Sequence, residues 1–92
     1  MMIHSDIRFT RQRANDGFGF ACMRAAYQFG ITGRMDYNHE VIIQAEGEES
    51  KILEFIEWIK VNVKEQTKIH YKNSLNYYGK YKEFDIFRHN SL

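Results

Sequence analysis

The feature that most constrains the fold is a strand pattern that passes directly into a helix pattern between residues 40 and 63. Val41, Ile43 and Ala45 occupy alternate positions, which is the spacing of a strand with one buried face. After Gly47 the apolar residues fall on one side of a helix: Ile52, Phe55, Ile56, Ile59 and Val63. A strand followed at once by an amphipathic helix predicts a helix layer packed on a sheet.

Similar patterns precede this pair. Ile3, Ile7 and Phe9 fall on alternate positions and predict a first strand. A polar, glycine-containing loop follows, and then a helix that stops at Gly30. The apolar positions of that helix are Phe20, Met23, Ala26 and Tyr27.

A hairpin is predicted between the two helices. Ile31, Met35 and Tyr37 indicate a second strand, broken by Gly33. Asn38-His39 is predicted to be a two-residue turn, since asparagine tolerates positive φ. The second and third strands are therefore expected to pair antiparallel.

The C-terminal third completes the pattern. A fourth strand is predicted around Ile69, from Thr67 to Tyr71, then a loop over residues 75–80 and a short closing strand with Phe84 and Ile86. The order β-α-β-β-α-β, with a fifth short strand, predicts an α+β, ferredoxin-like sandwich. We expect an antiparallel sheet with two helices on one face, and a single domain over residues 1–92.

Composition excludes several classes of protein. The hydrophobic fraction of 43% and the aromatic fraction of 15% exclude a disordered chain, and the longest apolar run is far too short to span a membrane. The one cysteine, Cys22, cannot form an internal disulfide, and residues 1–6 do not resemble a secretory signal. These features predict a cytoplasmic protein. The four histidines lie far apart, so no metal and no cofactor are expected.

The charge distribution points to one region. The net charge is only +1, but every arginine except Arg88 lies between Arg8 and Arg34. An acidic block follows: Glu46, Glu48, Glu49, Glu54 and Glu57. A basic first third favours a local anion site over a general nucleic-acid surface.

Three segments resemble one known family. Residues 29–33 read F-G-I-T-G, residues 40–47 read E-V-I-I-Q-A-E-G, and residues 55–59 read F-I-E-W-I. They are similar to acylphosphatases, in which L-G-L-T-G-W-V-x-N leads through a D-G hairpin to V-x-V-x-A-x-G and a helix ending in F-x-x-W-L. The resemblance extends over residues 6–60 and implies the fold predicted above.

The resemblance also implies an activity. Acylphosphatases hydrolyse carboxylic–phosphoric mixed anhydrides without a metal. Their phosphate cradle is the loop G-R-V-Q-G-V-x-F-R, where backbone N–H groups at a helix N-terminus and the final arginine hold the phosphate. The asparagine after G-W-V-x orients the attacking water.

The catalytic positions of the family are not matched in this chain. Aligning G-F-G-F at residues 17–20 with G-V-x-F puts Ala21 where the arginine belongs. Counting back from Phe29 puts Gly19 there instead. The asparagine position falls on Tyr37, and Asn38, one residue later, belongs to the opposite face of a regular strand.

Candidate site residues follow from this alignment. The resemblance assigns phosphate binding to residues of the loop and the helix start: Arg13, Asp16, Gly17, Phe18, Gly19, Phe20 and Ala21. Arg24, one turn beyond Ala21, and Asn38 are the candidate catalytic substitutes. Arg11 and Arg13 are further candidates to fold over an anion.

We therefore expect a degenerate acylphosphatase-like protein with a weak phosphate-binding loop and little or no hydrolysis. Its expected partner is a small phosphorylated molecule or inorganic phosphate, and no membrane. One alternative is an active acylphosphatase that uses Arg24 and Asn38.

The other alternative is a non-enzymatic module that binds protein or, less favoured, nucleic acid. Two features suggest it. Residues 16–23 partly resemble the G-F-G-F core of RNA-recognition motifs. The C-terminal region also interleaves Lys72, Lys80 and Lys82 with aromatic residues: Tyr77, Tyr78, Tyr81, Phe84 and Phe87.

Overall fold

The computed structural model describes residues 1–10, 17–38, 40–63, 68–75 and 79–88. These ranges contain two helices, α1 (Phe18–Gln28) and α2 (Glu49–Asn62). They also contain five strands: β1 (Met2–Thr10), β2 (Thr32–Tyr37), β3 (Glu40–Glu48), β4 (His70–Ser74) and β5 (Phe84–Arg88). The predicted order of elements is confirmed.

The strands form one sheet in the order β4-β1-β3-β2-β5. β1 pairs antiparallel with β3 and β4, and β2 pairs antiparallel with β3. β5 lies parallel to β2, so the sheet is mixed and the prediction of a purely antiparallel sheet is wrong in this one strand. A strand's hydrophobic pattern does not encode its direction, which explains the error.

Both helices pack on one face of the sheet, where the core lies. The predicted stripe of α2 is confirmed: Ile52, Phe55, Ile56 and Ile59 are at most 2% exposed, and Val63 is buried just beyond the helix. The buried apolar side chains of β1 and β3 occupy the alternate positions that the sequence predicts. The fold therefore rests on one continuous apolar layer.

The buried face of α1 differs from the prediction. Phe20 and Tyr27 are 62% and 57% exposed, although the helical spacing placed them in the core. The residues that do face the sheet are Phe18, Cys22, Ala25 and Ala26. Helix α1 is apolar on several sides, so periodicity alone cannot choose which side is buried.

Gly33 does not break β2, contrary to the prediction. The strand continues through it with a φ of +154°, and a Cβ at this position would clash with the carbonyl oxygen of Gln44. Its amide donates a hydrogen bond to the carbonyl of Glu83, at 2.9 Å. Glycine is required here by close backbone approach rather than by a turn.

The bounds of the hairpin strands agree with the prediction, whereas the start of β4 differs slightly. β2 ends at Tyr37 and β3 begins at Glu40, which leaves Asn38 and His39 between the strands, and His39 lies outside the described residues. β4 begins at His70, after Ile69, and Thr67 lies outside the described residues.

The connection from β4 to β5 joins opposite edges of the sheet, and part of it lies over the face without helices. There the amide of Lys80 donates a hydrogen bond to Glu46 Oε1, at 3.1 Å. His4 Nδ1 lies 3.3 Å from Glu46 Oε2. Glu46, a member of the acidic block, is therefore only 1% exposed.

Candidate functional site

Phe18 fixes the N-terminus of α1 at one end of the sheet. Its ring centroid lies 5.9 Å from that of Phe9 at the end of β1 and 6.5 Å from that of Tyr37 at the end of β2. It also stacks on Trp58 of α2, at 6.0 Å. Three elements therefore position the first turn of α1, where the sequence predicts the phosphate cradle.

The first turn of α1 presents backbone donors and carries no acid. Gly17 precedes the helix in the left-handed region, with a φ of +79°, and no side chain caps the helix. No acidic residue lies in the first turn. The Ala21 amide donates to the Gly17 carbonyl at 3.1 Å, so Ala21 contributes no free amide to a cradle. Helix geometry gives the earlier amides of Gly19 and Phe20 no acceptor within the helix.

Neither residue that the two alignments place at the family's arginine position can donate a side-chain hydrogen bond: alanine has only a methyl group, and glycine has no side chain. Ala21 is exposed, and Gly19 is buried against the core. Arg24 is exposed on the same helix, three residues and about 4.5 Å further along the axis than Ala21. Within the described part of the chain, Arg24 makes no hydrogen bond or ion pair.

The end of β2 lies beside this helix turn. Tyr37 is 8% exposed and faces the helices, where it packs on Phe18. Asn38 follows the strand and is exposed. The pairing of β2 with β3 runs without a bulge from Thr32 to Tyr37. The bulge that would return Asn38 to the face of Tyr37 is therefore absent from the paired strand.

The predicted site is thus described in part. Gly17, Gly19 and Phe20 lie together at the helix start, with Asn38 at the same end of the sheet. Arg11, Arg13 and Asp16 lie outside the described residues. What the described part offers chemically is a group of main-chain donors at the positive end of a helix dipole.

The two sequence features that suggested nucleic-acid binding, the G-F-G-F segment and the C-terminal aromatic residues, do not form a base-stacking surface among the described residues. The G-F-G-F segment enters helix α1, whereas base stacking in an RNA-recognition motif requires aromatic rings on a strand. Phe84 is buried in the core. Phe87 is exposed but lies under the Arg34 guanidinium, at 4.1 Å, and Tyr77 and Tyr78 lie outside the described residues.

The described residues form neither a metal-binding cluster nor a membrane-spanning helix. Among the described residues, no group of three or more histidine, cysteine or acidic side chains is placed to hold a metal ion. No helix in the same part of the chain is long and apolar enough to cross a bilayer.

Solved structures share this fold. An acylphosphatase from Bacillus subtilis superposes with a TM-score of 0.75 and 22% identity, over 95% of this chain and 99% of that one. An acylphosphatase from Coxiella burnetii gives 0.78 and 15% identity, over 94% and 93% of the two chains. BlsA in its photo-activated state gives 0.74 and 15% identity, over 99% of this chain and 72% of that one. These structures establish the fold and no more, because one fold serves unrelated functions.

The sequence comparison is more specific. No curated protein sequence matched the chain. The model of the acylphosphatase family, however, matches residues 14–86, which include α1, the hairpin, α2 and most of β5. The chain therefore belongs to the acylphosphatase family.

Proposed function

We propose that this acylphosphatase-family chain binds phosphate weakly at the start of α1 and hydrolyses acyl phosphates slowly or not at all. The observation that carries the proposal is the pairing of an uncapped helix N-terminus with a missing arginine. Gly17 and the amides that follow it form the cradle, while Ala21 or Gly19 takes the arginine's position. The expected ligand is inorganic phosphate or a small phosphorylated molecule.

The missing arginine supports slow hydrolysis. In the hydrolysis of an acyl phosphate, the oxygen of a water molecule bonds to the phosphoryl or acyl centre while the bond from that centre to the bridging oxygen breaks, and a carboxylate, phosphate and a proton are released. Charge develops on oxygen in the transition state, and removing one preorganised donor costs about 10²–10³ in rate. A methyl group at residue 21 cannot supply that stabilisation.

The position of the asparagine supports the same conclusion. Tyr37, at the family's asparagine position, is buried against Phe18 and Val41 is its cross-strand partner. A phenol packed in the core cannot orient a water as an exposed amide does. Asn38 has the right functional group, but it lies one residue beyond the end of β2 and one residue from the family's position.

The experiment compares the hydrolysis of benzoyl phosphate by the natural chain, by Ala21→Arg and by Gln28→Arg. Gln28 is exposed on the same helix, so Gln28→Arg adds the same charge away from the first turn. We expect the natural chain to stay near the uncatalysed rate. We expect Ala21→Arg to raise the rate or the phosphate affinity by about tenfold or more, since a hydrogen bond to a charged group contributes about 1.5–3 kcal/mol. An equal effect of both substitutions would contradict the proposal.

The second candidate function is an active enzyme that uses Arg24. Its support is the exposed position of Arg24 and the tilt of helical side chains toward the N-terminus, which aims Arg24 toward the turn that contains Ala21. Turnover by the natural chain comparable to that of the Bacillus subtilis enzyme, lost in Arg24→Ala and kept in Gln28→Ala, would establish this second function.

A further inference from the structure

A cleft opens where β4 begins short of the end of β1. Arg8 pairs with His70, the first residue of β4, while Phe9 and Thr10 continue beyond it along β3. This step at the edge of the sheet leaves a cleft of about 360 Å³. Among the described residues, it is lined by Arg8, Phe9, Thr10, Glu40, Lys68 and His70.

Basic groups from two segments meet in this cleft. Arg8 Nε donates to Asp6 Oδ1 at 3.2 Å, and this hydrogen bond raises the pKa of Arg8 above its ordinary value. The guanidinium is thus charged at every physiological pH, and the hydrogen bond from its Nε to Asp6 fixes its position. Lys68 and His70 are exposed and form no ion pair or hydrogen bond with the described residues.

Of the residues that the structure describes, one acid, Glu40, lines the same cleft. Glu40 Oε1 lies 3.9 Å from Arg8 Nη1, at the limit of an ion pair between two side chains that are each about half exposed. Such a pair contributes little. Asp6 and Glu40 both lie beside Arg8, whereas Lys68 and His70 have no acidic partner among the described residues and are the basic groups left to meet an anion.

We propose that this cleft binds a small oxyanion, either a phosphate or a carboxylate, through Arg8, Lys68 and His70. The volume lies within the range of small-molecule sites, and the Nη groups of Arg8, together with the Lys68 ammonium, can donate to both kinds of oxyanion. This inference is independent of the proposed function, because the basic residues of the cleft belong to β1 and to the start of β4, and none of them belongs to α1.

The test is a titration of the full chain with inorganic phosphate and, separately, with malonate, at constant ionic strength. Backbone amide signals are followed by NMR. We expect saturable shifts at residues 8–10 and 68–70. Lys68→Gln should weaken binding about fivefold, the upper limit for one exposed charge pair, and Glu40→Gln should strengthen it by a similar factor. Lys82→Gln, which removes an exposed lysine outside the cleft, should change nothing.

Each outcome decides the matter. A response to phosphate alone assigns the cleft to a phosphorylated ligand, a response to malonate alone to a carboxylate, and a response to both supports a general oxyanion site. The proposal would be overturned if neither anion shifted the amide signals of residues 8–10 and 68–70. It would also be overturned if Lys68→Gln and Glu40→Gln bound the anion as tightly as each other. Shifts confined to residues 17–23 would overturn it while supporting the proposed function at α1.

Discussion

Helices α1 and α2 pack on the same face of the sheet, but they differ in the charged side chains at their ends. α2 has an acid, Glu49, in its first turn and a base, Lys60, in its last turn. α1 has neither. Charged side chains at the ends of α2 offset its dipole, so α2 has no need of an external ion. The uncompensated N-terminus of α1 is where an external anion gains most.

The two helices also differ in how their apolar residues are used. α2 buries its predicted stripe and exposes two aliphatic residues, Leu53 and Val61, whereas α1 leaves two aromatic rings, those of Phe20 and Tyr27, in solvent. A helix that only supports the core needs no exposed aromatic ring. α2 therefore serves mainly to pack the core, and the proposed anion site lies at the start of the helix that exposes its rings.

The largest expected effect separates the buried aromatic of α2 from the exposed one of α1. Phe55 is fully buried and its ring contacts Phe29, Trp58 and Phe84. We expect Phe55→Ala to lower the free energy of unfolding by about 3–5 kcal/mol. Phe20→Ala should change it by no more than about 0.5 kcal/mol. Urea denaturation measures both, and similar losses in the two variants would contradict the assignment of faces.

A smaller effect is expected where the two helices meet. The ring of Phe18 stacks on Trp58 across the helix pair. Phe18→Leu keeps an apolar side chain but removes the ring contacts, so we expect a loss of about 0.5–1.5 kcal/mol. Phe20→Leu is the control, since the exposed ring of Phe20 should tolerate the same change. Unfolding midpoints that shift equally would show that Phe18 does not join the helices.

The smallest effect tests the dipoles directly. Phe20→Glu, compared with Phe20→Gln, adds the missing acid to the first turn of α1, and we expect it to stabilise the chain by about 0.3–1 kcal/mol. Glu49→Gln removes the acid of α2 and should cost a similar amount. Both differences should shrink in high salt. The comparison would be reversed if Glu49→Gln stabilised the chain, or if Phe20→Glu destabilised it relative to Phe20→Gln.

Some elements could be predicted from the sequence because their signals are local. The stripe of α2 and the alternation of β1 and β3 depend only on residues within each element, and the structure confirms them. The buried face of α1 could not be chosen because apolar residues surround that helix. The burial of Glu46 depends on Lys80, which is distant in sequence. No local pattern reports such a contact.

The candidate site also has features that could be predicted from the sequence and features that depend on the fold. Its position at the start of α1 followed from a motif, but the engagement of the Ala21 amide by Gly17 depends on where the helix begins. The cleft beside β1 was not predicted. Its only signal in the sequence is a basic residue on the outward face of β1, Arg8, which becomes meaningful once β4 is known to pair with it.

The central claim is that the start of α1 binds an anion without its arginine. Amide NMR during a phosphate titration tests it most directly, with Phe20→Glu and Phe20→Gln as the matched variants. We predict shifts at Gly17 through Met23, separate from those expected at residues 8–10 and 68–70, that are lost in Phe20→Glu and kept in Phe20→Gln, because a carboxylate in the first turn repels phosphate. Unchanged amide signals across these residues at saturating phosphate would contradict the account.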